Sequence, residues 1–75
     1  MIVTLYGRLA DLCGTNKLEL DPVETTFELK FQLEEKFPKL KGQKYILALD
    51  RKICNIDEKI FSDSEIVLMP PYSGG

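Results

Sequence analysis

The segment between Thr25 and Pro38 admits two readings, and the choice decides whether the chain is all-β or mixed. Phe27, Leu29, Phe31 and Leu33 alternate with Glu28, Lys30 and Gln32, which is the two-residue period of a strand. Leu29, Leu33 and Phe37 also recur at i, i+4 and i+8, which is one stripe of a helix. Three features favour the helix. Thr25-Thr26-Phe27-Glu28 fits a capping box, with Thr25 as N-cap and Glu28 reaching back. Glu, Lys and Gln between the apolar positions are good helix formers. Pro38 halts the pattern where a helix would end. On such a helix Phe27 and Phe31 lie off the Leu29/Leu33/Phe37 stripe. One of them is then expected to be partly exposed, with Phe31 tucked over the helix edge.

Around this helix the chain reads as strands. Ile2-Val3-Thr4-Leu5-Tyr6 is β-branched and aromatic. Gly7 interrupts it, and Arg8 to Leu12 makes a helical turn closed by Gly14. Lys17-Leu18-Glu19-Leu20 alternates until Asp21-Pro22 breaks it. Beyond a lysine-rich loop, Tyr45 to Leu49 is a strand, Asp50-Arg51 a turn and Lys52-Ile53-Cys54 a short return. Ile56 to Phe61 is a loop with a few apolar anchors. Asp63-Ser64 turns into the last strand, Glu65 to Met69. A mixed sheet of four to five strands with one main helix across it buries this pattern economically. The expected class is α+β, with a domain over residues 1–69 and an extended tail over residues 70–75.

At 75 residues the chain is one domain. A domain of this size hides only about 60% of the surface its unfolded chain exposes, which leaves little room for a deep pocket. A module working inside a partner's site fits better than an enzyme acting alone. The charge is mildly acidic, with 12 acidic against 10 basic side chains, interspersed in sign. Lys36, Lys39, Lys41 and Lys44 read as a solvated helix end and loop, not the concentrated footprint of a nucleic-acid binder. There is no histidine, which removes the commonest general base and zinc ligand. Cys13 and Cys54 form no metal or redox pair by spacing. Their apolar neighbours suggest buried structural thiols. No metal and no bound cofactor are expected. Met1 leads straight into a strand pattern, with no signal peptide, and no apolar run suits a membrane. A cytoplasmic location is expected.

The chemistry is concentrated in Met69-Pro70-Pro71-Tyr72-Ser73-Gly74-Gly75. Adjacent prolines have no backbone donors and end a ladder, and they favour the extended polyproline form. Six extended residues reach about 20 Å, far enough to enter another protein. Gly74 and Gly75 let the backbone pass a narrow channel, and the terminal carboxylate is the reactive group at the tip. A carboxylate needs activation, for example as an acyl-adenylate, before a sulfur donor can displace AMP and leave a thiocarboxylate on Gly75. A plain frayed end is the alternative. The prolines placed directly after the last strand argue against it.

The element order is that of ubiquitin-like β-grasp domains. Over essentially its whole length the chain resembles the small, sulfur-carrying subunit of molybdopterin synthase. The resemblance rests on Leu5-Tyr6-Gly7-Arg8-Leu9-Ala10-Asp11-Leu12-Cys13-Gly14, on Leu29, Leu33 and Phe37-Pro38, on Ser64 to Met69, and on Pro70 to Gly75. Ser62-Asp63-Ser64-Glu65 stands where that family often has Asp-Gly-Asp-Glu, and Phe31 where it usually has a polar residue. The resemblance implies that Gly75 is adenylated by a ubiquitin-activating-type adenylyltransferase that uses ATP. A persulfide supplies the sulfur. The large synthase subunit receives the tail, where sulfur passes to a pyranopterin precursor of the molybdenum cofactor. Gly74 would give passage, and Pro70, Pro71, Tyr72 and Ser73 would line the partner's tunnel. The chain would be non-catalytic alone, acting as sulfur donor within a sulfurtransferase. Carriers for thiamine, cysteine or tRNA thiolation, and ubiquitin-like modifiers joined to lysines, also end in Gly-Gly. Apolar residues on the sheet face away from the helix would mark the docking site.

Overall fold

The computed structural model describes residues 1–71. Its elements follow in the order β1 (Ile2–Leu5), α1 (Arg8–Cys13), β2 (Lys17–Glu19), α2 (Thr26–Lys36), a 3₁₀ helix (Pro38–Gly42), β3 (Ile46–Leu49), β4 (Lys52–Ile53) and β5 (Ile66–Met69). One five-stranded mixed sheet has the order β2-β1-β5-β3-β4. β1 and β5 run parallel at its centre; β2 joins β1, and β3 joins β5 and β4, antiparallel. The sheet and its helix confirm the α+β, ubiquitin-like β-grasp class expected from the element order.

The helical reading of residues 25–37 holds. Thr25 is extended, its hydroxyl accepts from Glu28 N–H at 3.3 Å, and Glu28 Oε1 accepts from Thr25 N–H at 3.2 Å. Both halves of the capping box are therefore made. Leu29 and Leu33 are fully buried and Phe37 half-buried. They pack on Val3, Leu5, Leu18, Leu47, Ile66 and Leu68, which alternate inward from the strands. Phe27 and Phe31 are both exposed, at 55% and 71%. Phe31 is therefore not folded over the helix edge, because the helical period carries it away from the Leu29/Leu33 stripe.

Several local expectations change. The lysine-rich stretch is not simply a loop. Pro38–Gly42 forms a 3₁₀ helix, and its Leu40 is fully buried, extending the core beyond α2. The four lysines there are exposed. Of the apolar residues in 56–61, Ile60 is buried, whereas Ile56 and Phe61 are exposed. Cys13 and Cys54 are free and only partly buried. The Asp50-Arg51 turn takes positive φ at both residues, 51° and 70°, the form that matches the twist of a two-residue hairpin. Neither residue is glycine, and Glu65 compensates. Its carbonyl accepts from Asp50 N–H at 2.8 Å, its N–H donates to Asp50 Oδ1 at 2.9 Å, and its carboxylate lies 3.5 Å from Arg51. The hairpin is thereby tied to the residue that precedes β5.

Candidate functional site

β5 carries the chain from the middle of the sheet to Pro70. Ile66 and Leu68 point into the core, while Val67 and Met69 are half-buried on the other face. The registers fix that face. Thr4 pairs with Val67, Val67 with Ala48, Met69 with Ile46, and Ala48 with Ile53. Partners in register share a side. The face away from α2 therefore presents Thr4, Ile46, Ala48, Val67, Met69 and Ile53, and the apolar ones lie beside the strand that becomes the tail.

Past Met69, Pro70 is half-buried and Pro71 exposed. Pro70 rests on Gly7, the residue between β1 and α1. A hollow of about 470 Å³ beside them is bordered by Arg8, Leu9, Gln43, Lys44, Pro70 and Pro71. A second, of about 420 Å³, brings Lys30, Glu34 and Tyr45 to Lys44 and Pro71. Both are open to solvent. Another hollow, between α2 and β3–β4 and bordered by Phe27, Tyr45, Ile53 and Ile56, holds about 170 Å³. That is below the ~300 Å³ at which small-molecule sites begin.

Of the residues expected at the site, Pro70 and Pro71 are thus placed at the sheet's exit. Tyr72, Ser73, Gly74 and Gly75 lie outside the described residues. Gly7, Arg8 and Lys44 at the tail's root were not singled out from the sequence. In the sequence Gly7 is punctuation after a strand and one member of the stretch that carries the resemblance, and nothing local pairs it with Pro70.

Three side chains are held in their protonated forms. Tyr45 is held in its protonated form chiefly by burial, then by its hydrogen bond to Glu34 at 2.7 Å and the charge of that carboxylate. Burial, followed by the Glu58 carboxylate, raises the Cys54 thiol to about 11, and burial also raises Cys13. Both thiols stay protonated near neutrality and are weak nucleophiles. Among the described residues no group of three or more His, Cys, Asp or Glu is placed to hold a metal ion. No helix among them is long and apolar enough to cross a membrane.

Solved structures share this architecture. The crystal structure of small archaeal modifier protein 1 from Haloferax volcanii superposes with a TM-score of 0.77 at 20% identity, covering 99% of this chain and 97% of that one. The solution structure of small archaeal modifier protein 1 from Methanosarcina acetivorans gives 0.79 at 22% identity, covering 99% and 94%. These likenesses establish the fold. They are to archaeal modifiers and not specifically to the molybdopterin synthase subunit that the sequence resembles. No curated protein sequence matches the chain. The ThiS family pattern, by contrast, matches residues 3–75, essentially the whole sequence, and on that match the chain belongs to the ThiS family.

Proposed function

We propose that the chain is a sulfur carrier for molybdenum cofactor biosynthesis, with Gly75 as the group that is activated and charged. The observation that carries the reading is a Pro-Pro-Tyr-Ser-Gly-Gly end on a ThiS-family domain, launched from the central strand of its sheet. The domain's hollows are open and its thiols are protonated, so the chemistry falls to the terminal carboxylate and to partners.

In the first step the Gly75 carboxylate attacks the α-phosphorus of ATP on a ubiquitin-activating-type adenylyltransferase. Pyrophosphate leaves, and a mixed anhydride with AMP remains. A persulfide on a donor protein then attacks the carbonyl carbon, and AMP leaves. A thiol cleaves the resulting acyl disulfide, freeing the thiocarboxylate and oxidising the donor's sulfur and that thiol to a disulfide. The charged tail enters the large synthase subunit, where the thiocarboxylate sulfur displaces an oxygen from a carbon of the pyranopterin precursor and water then cleaves the acyl–sulfur bond, leaving sulfur on the precursor and restoring the Gly75 carboxylate. Gly74 offers passage, and Pro70, Pro71, Tyr72 and Ser73 line the tunnel. The sheet face of Ile46, Val67, Met69 and Ile53 docks on the partner, because a half-exposed apolar surface beside the tail is where a binding partner gains most.

A second reading is favoured by the structural likeness to the small archaeal modifier proteins. It makes the same adenylate but transfers Gly75 to a lysine amine. Carriage of sulfur for thiamine, cysteine or tRNA thiolation stays within the first chemistry with a different acceptor. Intact mass after incubation with ATP, the adenylyltransferase and a persulfide donor separates the classes. A carrier gains the mass difference between sulfur and oxygen, whereas a modifier appears as larger conjugates. Deleting Gly75 is expected to abolish both while leaving the thermal midpoint unchanged. A truncated chain that still supported cofactor synthesis would sink the carrier reading.

A further inference from the structure

Gly7 has φ +59° and ψ −138°, a combination glycine adopts freely and residues with a Cβ adopt under strain. Its neighbourhood is fixed on two sides. Tyr6 N–H donates to Leu68 O at 3.0 Å, tying this corner to β5. Gly7 O accepts from Ala10 N–H at 3.1 Å and Asp11 N–H at 3.4 Å, tying it to α1. The third side faces the tail. A Cβ at position 7 would stand 3.1 Å from Pro70 Cγ and 3.5 Å from Pro70 Cδ, where relaxed carbon contacts are about 3.5–4.0 Å. The Pro70 ring therefore occupies space that any side chain at residue 7 would need.

From this seat we propose that Gly7 is a positioning residue for the tail: it sets the direction in which Pro70-Pro71 leave β5, and so where the terminal carboxylate arrives in the activating partner. The inference rests on the reading of Gly75 as the activated group. A proline ring has its φ locked and no flexible arm with which to yield. Pro71 in turn confines Pro70 to extended ψ values. A push on the ring is thus passed on as a rotation of the chain. A push of a few tenths of an ångström on the ring turns the root of the tail, and a turn of a few degrees there shifts the point at which a chain of up to about 17 Å further reach arrives by on the order of 1 Å. Misplacement of about 1 Å at a reacting centre is enough to lower a rate about a hundredfold.

The test is a cycle of Gly7→Ala, Pro70→Ala and the double variant against the full-length chain. ATP–pyrophosphate exchange is followed with the adenylyltransferase that activates the wild type. Gly7→Ala should lower kcat at least about tenfold and leave the KM for the carrier nearly unchanged, because the sheet face still docks. Pro70→Ala removes both Cγ and Cδ. In that background Gly7→Ala should change kcat by less than about threefold. Because a Cβ at φ +59° is strained with or without the ring, the thermal midpoint should fall in both backgrounds; a purely structural role would also cost the same kcat in both, and that result overturns the proposal. In the wild-type chain, nuclear Overhauser contacts from Gly7 Hα to Pro70 Hγ and Hδ are expected, and their absence also overturns it. If no adenylyltransferase activates the wild type, the functional reading fails. The seat is then judged by residual dipolar couplings of the Tyr72 amide. These should change in Gly7→Ala and return toward the Pro70→Ala values in the double variant, and unchanged couplings refute the seat.

Discussion

Thr26 is the one fully buried polar side chain among the described core residues, and replacing it by valine should loosen, without breaking, the attachment of α2 to the segment before Ile60. Its hydroxyl accepts from Glu58 N–H at 3.0 Å and lies 3.3 Å from Ile56 O and 3.4 Å from Asp57 Oδ1, one of which takes its proton. Valine keeps the shape and the methyl group but makes none of these bonds. The Glu58 amide and the acceptor on the loop lose their partner together. A buried group left unpaired costs about 1–3 kcal/mol. Thr26 N–H still donates to Glu58 O at 2.8 Å, and Phe27 N–H to Asp57 Oδ1 at 2.9 Å. The loop therefore stays attached, and the loss should lie in the lower half of that range, about 1.5 kcal/mol. For a domain of this size that is a fall in thermal midpoint of roughly 6–12 °C. Urea unfolding should show the lower midpoint with an unchanged slope, since the surface exposed on unfolding is the same. Hydrogen exchange at Glu58 should accelerate relative to Thr26→Ser, which retains the hydroxyl. A Thr26→Val midpoint equal to the wild type, with Glu58 still protected, would refute the bridge.

Alkaline pH should also destabilise the fold. Burial and Glu58 raise the Cys54 thiol to about 11, and burial and Glu34 raise Tyr45 as well. The unfolded chain therefore loses these protons first. The contribution is whole below the ordinary thiol pKa of about 8.5 and is lost as pH rises toward 11. Urea midpoints should fall between about pH 9 and pH 11, and less steeply in Cys54→Ala; a flat profile in the wild type would contradict the shifts. Phe31→Gln should change unfolding free energy by less than about 0.5 kcal/mol, because the ring is 71% exposed. A larger loss on urea titration would mean that the ring is packed.

What the sequence made legible was whatever is encoded within one turn or one strand. The Thr25 and Glu28 pair of the capping box lies three residues apart, so its chemistry can be read directly, and it settles the helix against the alternating Phe27/Leu29/Phe31/Leu33 pattern. Gly14 closes α1 with φ 75° for the same local reason. Leu40 was not legible. A lone apolar residue among lysines has no period, and a 3₁₀ helix of five residues is too short to create one. The thiols of Cys13 and Cys54 were read as buried from apolar neighbours in sequence, but adjacent residues point in different directions. Of the residues expected at the site, the prolines announced themselves by composition. Gly7 did not, because its conformation matters only against Pro70, at the other end of the chain.

On the proposed carrier function, the position of β5 accounts for how so small a domain would serve two partners. Its inward residues, Ile66 and Leu68, hold α2, and its outward residues, Val67 and Met69, belong to the apolar free face. β1 and β3 clamp it on both edges, so neither set can shift without breaking a ladder. A tail that begins at the end of such a strand starts from a fixed point relative to that apolar face. An edge strand such as β4, two residues long and paired on one side, could not supply that reference. Such a tail needs a fixed root and a fixed initial direction: the ladders fix the root, and on the proposal above the Gly7 corner sets the direction. On the proposed function, binding on the sheet face would reduce the search for the partner's channel to the bonds beyond Pro71, an entropic saving of the kind that raises effective concentration.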